Sequence, residues 1–211
     1  MYCHPKQTFF ARLPKSILVG KMSRVAEKER KTKETQIKVK IDLDKKGSKI
    51  STTNNFMDHM LELLARHADI LLEVEANGDL KHHLIEDIAI VLGNVLEESL
   101  VDKVGIERYG SYYIPMDETL GFCALDLSGR PYFVLDLGFK GDMIEDCATE
   151  DLIHFFESLA LNGRINLHLR TEYGRNDHHK AEAAFKAFAH ALKMAISITS
   201  DELLSTKGKL A

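Results

Sequence analysis

His82-His83-Leu84-Ile85-Glu86 is the stretch from which the fold is read, because it returns as His178-His179-Lys180-Ala181-Glu182. Both copies keep the order His-His-x-x-Glu. On a helix the Glu lies three residues past the second His and four past the first, so it shares a face with both. The adjacent imidazoles point roughly 100° apart, because a helix turns once every 3.6 residues. They are badly placed to grip one ion together and well placed to serve two. Imidazole plus carboxylate is a ligand set for Mn, Fe or Zn.

Working outward from the two copies, the rest of the chain repeats as well. An offset of 95 places His59 on His154, and an offset of 96 places one His-His-x-x-Glu on the other. A residue gained in the turn accounts for the difference. Each copy reads as a helix, a strand, a turn and a second helix, preceded by strands. In the first copy, 56–65 has helical spacing, 70–75 reads as a strand and Asn77-Gly78-Asp79 as its turn. The His-His-x-x-Glu helix then carries Ile88, Val91, Leu92, Val95 and Leu96 on its apolar face. In the second copy the helix spans 150–161, the strand 165–169 and the turn 173–176. The last helix carries Phe185, Phe188, Ala189 and Leu192.

Strands fill the remainder. Ile37, Val39, Ile41 and Leu43 alternate with polar residues, which predicts a half-buried strand. Lys45-Lys46-Gly47-Ser48 reads as a hairpin turn. Strands are expected at 111–114, 120–127 and 132–139, with Ser128-Gly129-Arg130-Pro131 turning between the last two. The expected fold is therefore α/β of the α+β type, an internal duplication of two similar halves, each a β-sheet packed with helices. The halves span about 23–110 and 111–205, and a C-terminal tail follows. Residues 1–22 show no clear period and no acidic residue occurs before Glu27. They read as a disordered extension, as sequence upstream of a start at Met22, or as a transit peptide.

Composition narrows the function. A formal charge of -4 gives no electrostatic reason to expect nucleic acid. No apolar run approaches the ~20 residues needed to span a bilayer. The basic cluster between Lys21 and Lys40 is interleaved with Glu27, Glu29 and Glu34, so it reads as a solvated surface. Three cysteines, Cys3, Cys123 and Cys147, lack metal-site spacing and suggest free thiols in a reducing, cytoplasmic setting.

The repeat yields eight candidate metal ligands: His59, His82, His83, Glu86, His154, His178, His179 and Glu182. Four protein ligands for each of two octahedral ions leave positions open for substrate or water. Asp87 and Asp177 flank the motifs and are candidates for orienting an imidazole, although an N-cap role explains Asp177 equally well. His168 reads as an ordinary polar residue at a strand end. A dinuclear phosphoesterase and a metal-buffering assembly protein are compatible with the same ligand types.

Longer segments then point to one family. They include Arg30-Lys31-Thr32-Lys33-Glu34-Thr35, Asp58-His59-Met60-Leu61, Arg108-Tyr109-Gly110 and Pro115-Met116-Asp117-Glu118. Ser128-Gly129-Arg130-Pro131-Tyr132, Phe185-Lys186-Ala187 and Ser205-Thr206-Lys207-Gly208 continue the series. With the two ligand motifs between them, the chain resembles imidazoleglycerol-phosphate dehydratase, an enzyme of histidine biosynthesis. The resemblance implies a hydro-lyase that converts imidazoleglycerol phosphate to imidazole acetol phosphate. It implies two Mn ions per site on the eight ligands above, and an assembly of 24 subunits built from trimers with sites completed between subunits.

Carried over by motif, the residues touching substrate are Glu34, His59, His67, His82, His83, Glu86, Arg108, Arg130, His178, His179, Glu182, Lys186, Ser205, Thr206 and Lys207. The phosphate is expected among Arg108, Arg130, Lys186, Ser205 and Lys207. Glu34, His83 and Glu182 are the expected catalytic groups, with Glu34 as acid or base. The implied chemistry runs through an imidazolate held by metal, which expels the neighbouring hydroxyl and acidifies the next carbon–hydrogen bond. The chain departs from the family in having Leu80-Lys81 where Asp-Asp is common, in a turn about three residues shorter, and in Asp177 where Ser is common. The position of His154 is sometimes Glu.

Overall fold

The computed structural model describes residues 23–210; the extension 1–22 lies outside them. Strands β1 (Val25–Lys31), β2 (Thr35–Asp42) and β3 (Gly47–Ser51) precede helix α1 (Asn55–Ala68). Strand β4 (Leu71–Gly78) and helix α2 (Lys81–Ser99) complete the first half. The second half opens with β5 (Tyr109–Met116), β6 (Thr119–Asp126) and β7 (Tyr132–Asp136). A small hairpin, β8 (Met143–Ile144) and β9 (Cys147–Ala148), leads into α3 (Thr149–Asn162), β10 (Asn166–Tyr173) and α4 (Asp177–Ala195).

The two halves have matching sheets, ordered β1-β2-β4-β3 and β5-β6-β10-β7. In each, three strands pair antiparallel and the outermost, β3 or β7, lies parallel to its neighbour. Two sequence expectations are corrected by this order. Lys45-Lys46-Gly47-Ser48 is not a hairpin turn, because β3 pairs with β4 and not with β2. Ser128-Gly129-Arg130-Pro131 does not close a hairpin either, because β10 separates β6 from β7. Both connections cross over to the far edge of the sheet. Strand β1 escaped the sequence reading: its VAEKERK carries charge on both faces, as edge strands often do.

Each sheet buries one face. Ile37, Val39 and Ile41 of β2 and Leu72, Val74 and Ala76 of β4 meet Met57, Met60, Leu61 and Leu64 of α1 and Ile88, Val91 and Val95 of α2. The second core is built on phenylalanines. The rings of Phe155 and Phe156 on α3 pack with Phe185 and Phe188 on α4 at centroid separations of 4.7 to 5.8 Å. Burial of such side chains is the main stabilising term, about 1.5–3 kcal/mol each.

The helices are shared between the halves. Helix α2 packs on α3, and α1 packs on α4, so the sheets lie outside and the four helices between them. The α2–α3 crossing is close because Gly93 has no side chain: a Cβ there would stand 2.7 Å from the Gly163 nitrogen and 2.9 Å from the Leu159 carbonyl oxygen. Helix α4 meets β5 in the same way, its Ala191 carbonyl lying where a Cβ of Gly110 would go.

Gly93→Ala therefore sets a helix-propensity gain of about 1 kcal/mol against contacts with backbone that cannot swing aside. Overpacking of this kind costs about 1–3 kcal/mol. The expected result is net destabilisation in a denaturant melt; a stabilised variant would contradict the close crossing.

Candidate metal centre

Helix pairing across the halves decides which imidazoles meet. Helix α2 supplies His82 and Glu86, and α3 supplies His154. The nearest donor atoms of these three lie within 4.8 Å of one another, and the rings of His82 and His154 stack at 5.3 Å. Helix α4 supplies His178 and Glu182, and α1 supplies His59. There, Glu182 Oε1 lies 3.2 Å from both His59 Nε2 and His178 Nε2. Each cage thus takes two groups from one half and one from the other. Donors opposed across an ion at about 2.1 Å span about 4.2 Å, so the first cage fits a divalent transition ion after small side-chain shifts.

His83 and His179, the remaining imidazoles of the two motifs, join neither cage in this chain. The 100° turn between neighbours sends them elsewhere. His83 Nδ1 lies 3.0 Å from Asp79 and 3.9 Å from Glu34. His179 Nδ1 lies 2.8 Å from Glu118 Oε2, and its Nε2 lies 3.6 Å from Asp117.

Carboxylates hold the outer edges of these rings. Asp151 sits 2.7 Å from His82 Nδ1, and Glu157 and Glu145 each lie 3.4 Å from the Nδ1 of His154 and His178 respectively. In all five of these histidines Nδ1 faces an outer carboxylate, leaving Nε2 to face inward or outward to a further ligand. Such outer acceptors fix ring orientation and tautomer. The expected candidates for this role, Asp87 and Asp177, do not serve it. Asp87 accepts from Arg30 at 2.8 Å and from the Thr35 hydroxyl. Asp177 accepts the backbone N–H groups of Lys140 and Gly141, each at 2.8 Å, and an N–H of Lys180. The N-cap of α4 is Asn176, whose side chain accepts from His178 and His179.

The surroundings tune these groups. Burial alone would raise the Glu182 carboxyl, but Lys186 and then His59 outweigh it and bring it down to about 2. His83 and His179 are raised above the ordinary imidazole value, chiefly by hydrogen bonds to Asp79 and Glu118. Burial acts to lower His154, yet Glu86 and Glu157 raise it overall. His67 lies apart from both cages, with Nδ1 3.1 Å from His190 Nε2; burial and then the neighbouring His190 lower it.

The basic candidates gather in part. Arg108, Arg130, Ser205, Thr206 and Lys207 line one hollow of about 580 Å³. Lys186 stands elsewhere, its ammonium on Glu182. Arg108 also holds the tail in place: it donates to both Asp126 oxygens at 2.7 and 3.0 Å and to the Leu204 carbonyl at 2.7 Å. Its backbone is left-handed, with φ of 69°, a strained state for a non-glycine residue that clusters at ligand sites. Three of the five guanidinium N–H groups are so engaged, and the other two are free to take an anion.

Fold and site together define an internally duplicated α/β protein with a paired imidazole–carboxylate centre. The sequence profile of the family described as Imidazoleglycerol-phosphate dehydratase matches residues 52–192. The chain belongs to that family. It is 52% identical over 193 residues to the imidazoleglycerol-phosphate dehydratase of Listeria monocytogenes serotype 4b, covering 89% of this chain and 100% of that protein. The enzyme of the same name from Methanothermobacter thermautotrophicus is 50% identical over 187 residues, covering 87% of this chain and 96% of its own length.

Among solved structures, the Staphylococcus aureus imidazoleglycerol-phosphate dehydratase superposes with a TM-score of 0.78 at 39% identity, over 83% of this chain and 99% of that one. The Pyrococcus furiosus protein, in complex with (S)-C348, gives a TM-score of 0.77 at 39% identity, over 87% and 100%. The expected fold agrees with these structures.

The Glu118–His179 pair makes a pH prediction for the metal-free protein. Glu118 is held well below the usual carboxylate range, first by His179 and then by the N–H groups of Asn176 and Arg175. Its contribution is present above about pH 4.5 and lost as pH falls toward its folded value; that of the raised His179 is lost as pH rises beyond about 6.5. The gap in Tm between wild type and Glu118→Gln is therefore expected to be widest between those limits. A gap independent of pH would contradict the pairing.

Proposed function

We propose that this protein dehydrates imidazoleglycerol phosphate to imidazole acetol phosphate, as a manganese-dependent hydro-lyase of histidine biosynthesis. The observation that carries the reading is that the repeated His-His-x-x-Glu helices each find the third ligand, His154 or His59, on a helix of the opposite half. Two manganese ions per site, held by these residues, would supply Lewis acidity toward the imidazole of the substrate.

The chain's own residues do the rest. His59, His178 and Glu182 hold one ion; His82, Glu86 and His154 hold the other. Glu34 stands beside His83, exposed at the mouth of its hairpin and 3.9 Å from the ring. This proximity supports Glu34 as the group that takes or returns a proton at the carbon chain of the substrate, with His83 and Glu182 as the further catalytic groups. The hollow of Arg108, Arg130, Ser205, Thr206 and Lys207 takes the phosphate; Lys186 lies outside it, on Glu182. His67, kept neutral by burial, contacts the substrate through its free nitrogen.

Each cage within one chain is a ligand short of four, and His83 and His179 are each without a cage. Identical copies can supply both needs, which supports sites completed between subunits and the assembly of 24 built from trimers. An outward sheet face bearing Tyr113, Tyr132 and Val134, each about half exposed, is suited to such contacts. Among the described residues no helix is long and apolar enough to cross a membrane, and the two buried free thiols of Cys123 and Cys147 suit a cytoplasmic enzyme.

Manganese-loaded protein given imidazoleglycerol phosphate is expected to release imidazole acetol phosphate, and Glu34→Gln to lower kcat by about 10²–10⁴-fold. Absence of product from the loaded wild type would defeat the reading. Completion between copies has its own test. His83→Ala and His178→Ala chains, each inactive alone, are expected to regain activity when unfolded, mixed and reassembled. Mixed assemblies as inert as their parents would contradict it.

A further inference from the structure

The duplication is not symmetrical in what stands behind the ligands. Sliding by 95 places Phe56 on Asp151, each three residues before the histidine of its helix. In one cage that position is a carboxylate, 7% exposed and 2.7 Å from His82 Nδ1. In the other it is a phenyl ring whose contact with His178 is edge-on, at 5.3 Å between centroids. Sliding by 96 places Ile90 on Lys186, each four residues after the glutamate ligand. Cage one has an apolar side chain there; cage two has an ammonium bonded to Glu182 Oε2. The arrangement of donors differs in the same sense. Among the described residues, only the His82, Glu86 and His154 trio is gathered within 4.8 Å.

Building on the reading of both cages as cation sites, we propose that they hold their ions unequally. The cage of His82, Glu86 and His154 binds tightly and exchanges slowly. The cage of His59, His178 and Glu182 binds weakly and exchanges fast, because Lys186 competes with the cation for Glu182 and because His178, with Phe56 where the first cage has Asp151, is backed only by the exposed Glu145 at 3.4 Å. Asp151 is a positioning residue for the first cage. An outer carboxylate on a ligating imidazole strengthens metal binding by about 10–100-fold; a fixed positive charge beside a ligand weakens it. Both differences between the cages act in one direction.

The test is manganese release from the loaded full chain into excess chelator, followed by the EPR signal of the freed ion. Two phases of equal amplitude are expected, with rates at least about 10-fold apart. Asp151→Asn should speed the slow phase by about 10–100-fold and leave the fast one alone, and Lys186→Gln should slow the fast phase alone. A single phase, or variants that shift both phases alike, would overturn the proposal. Should Asp151→Asn fail to fold, the Lys186→Gln trace decides by itself. Protein that takes up no manganese would instead defeat the cation-site reading, whereas single-phase release from active enzyme would defeat only the inequality.

Discussion

The packing of α2 on α3 and of α1 on α4 is the constraint on which the site depends. Neither half of the chain contains a complete set of ligands in space, although each contains one in sequence. Had α2 packed on α1 within its own half, His82 and Glu86 would have met His59, and the duplication would have given two self-sufficient units. The exchange instead ties the cages to the interface between the halves. The crossing is made possible by the absence of a side chain at Gly93 and is held by the apolar surfaces of all four helices. Core packing and ligand geometry are thus one problem, and a loosened core would misplace the donors.

A second layer of interaction follows from the first. Once imidazoles are brought together, each needs its tautomer and tilt fixed, and carboxylates from four different places do this. Asp151 and Glu157 come from α3, Glu145 from the β8–β9 turn, Glu118 from the β5–β6 turn, and Asp79 from the loop before α2. Glu118 also accepts the N–H groups of Arg175 and Asn176 at 3.0 and 2.8 Å, so the hairpin turn, the helix entry and the His179 ring form one unit. Asp79 lies 3.0 Å from His83 Nδ1 as a hydrogen-bond acceptor, although Leu80-Lys81 stands where Asp-Asp is common. The shorter turn before His82 therefore still supports its imidazoles.

The candidate ligand motifs were legible because helical spacing and repetition are properties of a sequence. The four helices were legible for the same reason, each having a strong apolar face. Strand order was not, since Lys45-Lys46-Gly47-Ser48 has the composition of a hairpin turn and only the long-range pairing of β3 with β4 reveals a crossover. Strand β1 lacks an apolar alternation because it lies at a sheet edge, and β8 and β9 are too short to show any pattern. Asp151 and Glu118 were hidden because they reach their partners from distant segments, 69 and 61 residues away in the chain. Asp87 and Asp177 drew attention by adjacency alone; on a helix the next residue points away from its neighbour's partner.

The central claim, that each cage is assembled from both halves of the chain, is tested most directly by anomalous diffraction at the manganese edge from crystals grown with the metal. The account predicts one peak between α2 and α3, bounded by His82, Glu86 and His154, and another between α1 and α4, bounded by His59, His178 and Glu182. Each should have an additional imidazole from a neighbouring copy. Peaks surrounded only by ligands of a single half would contradict it.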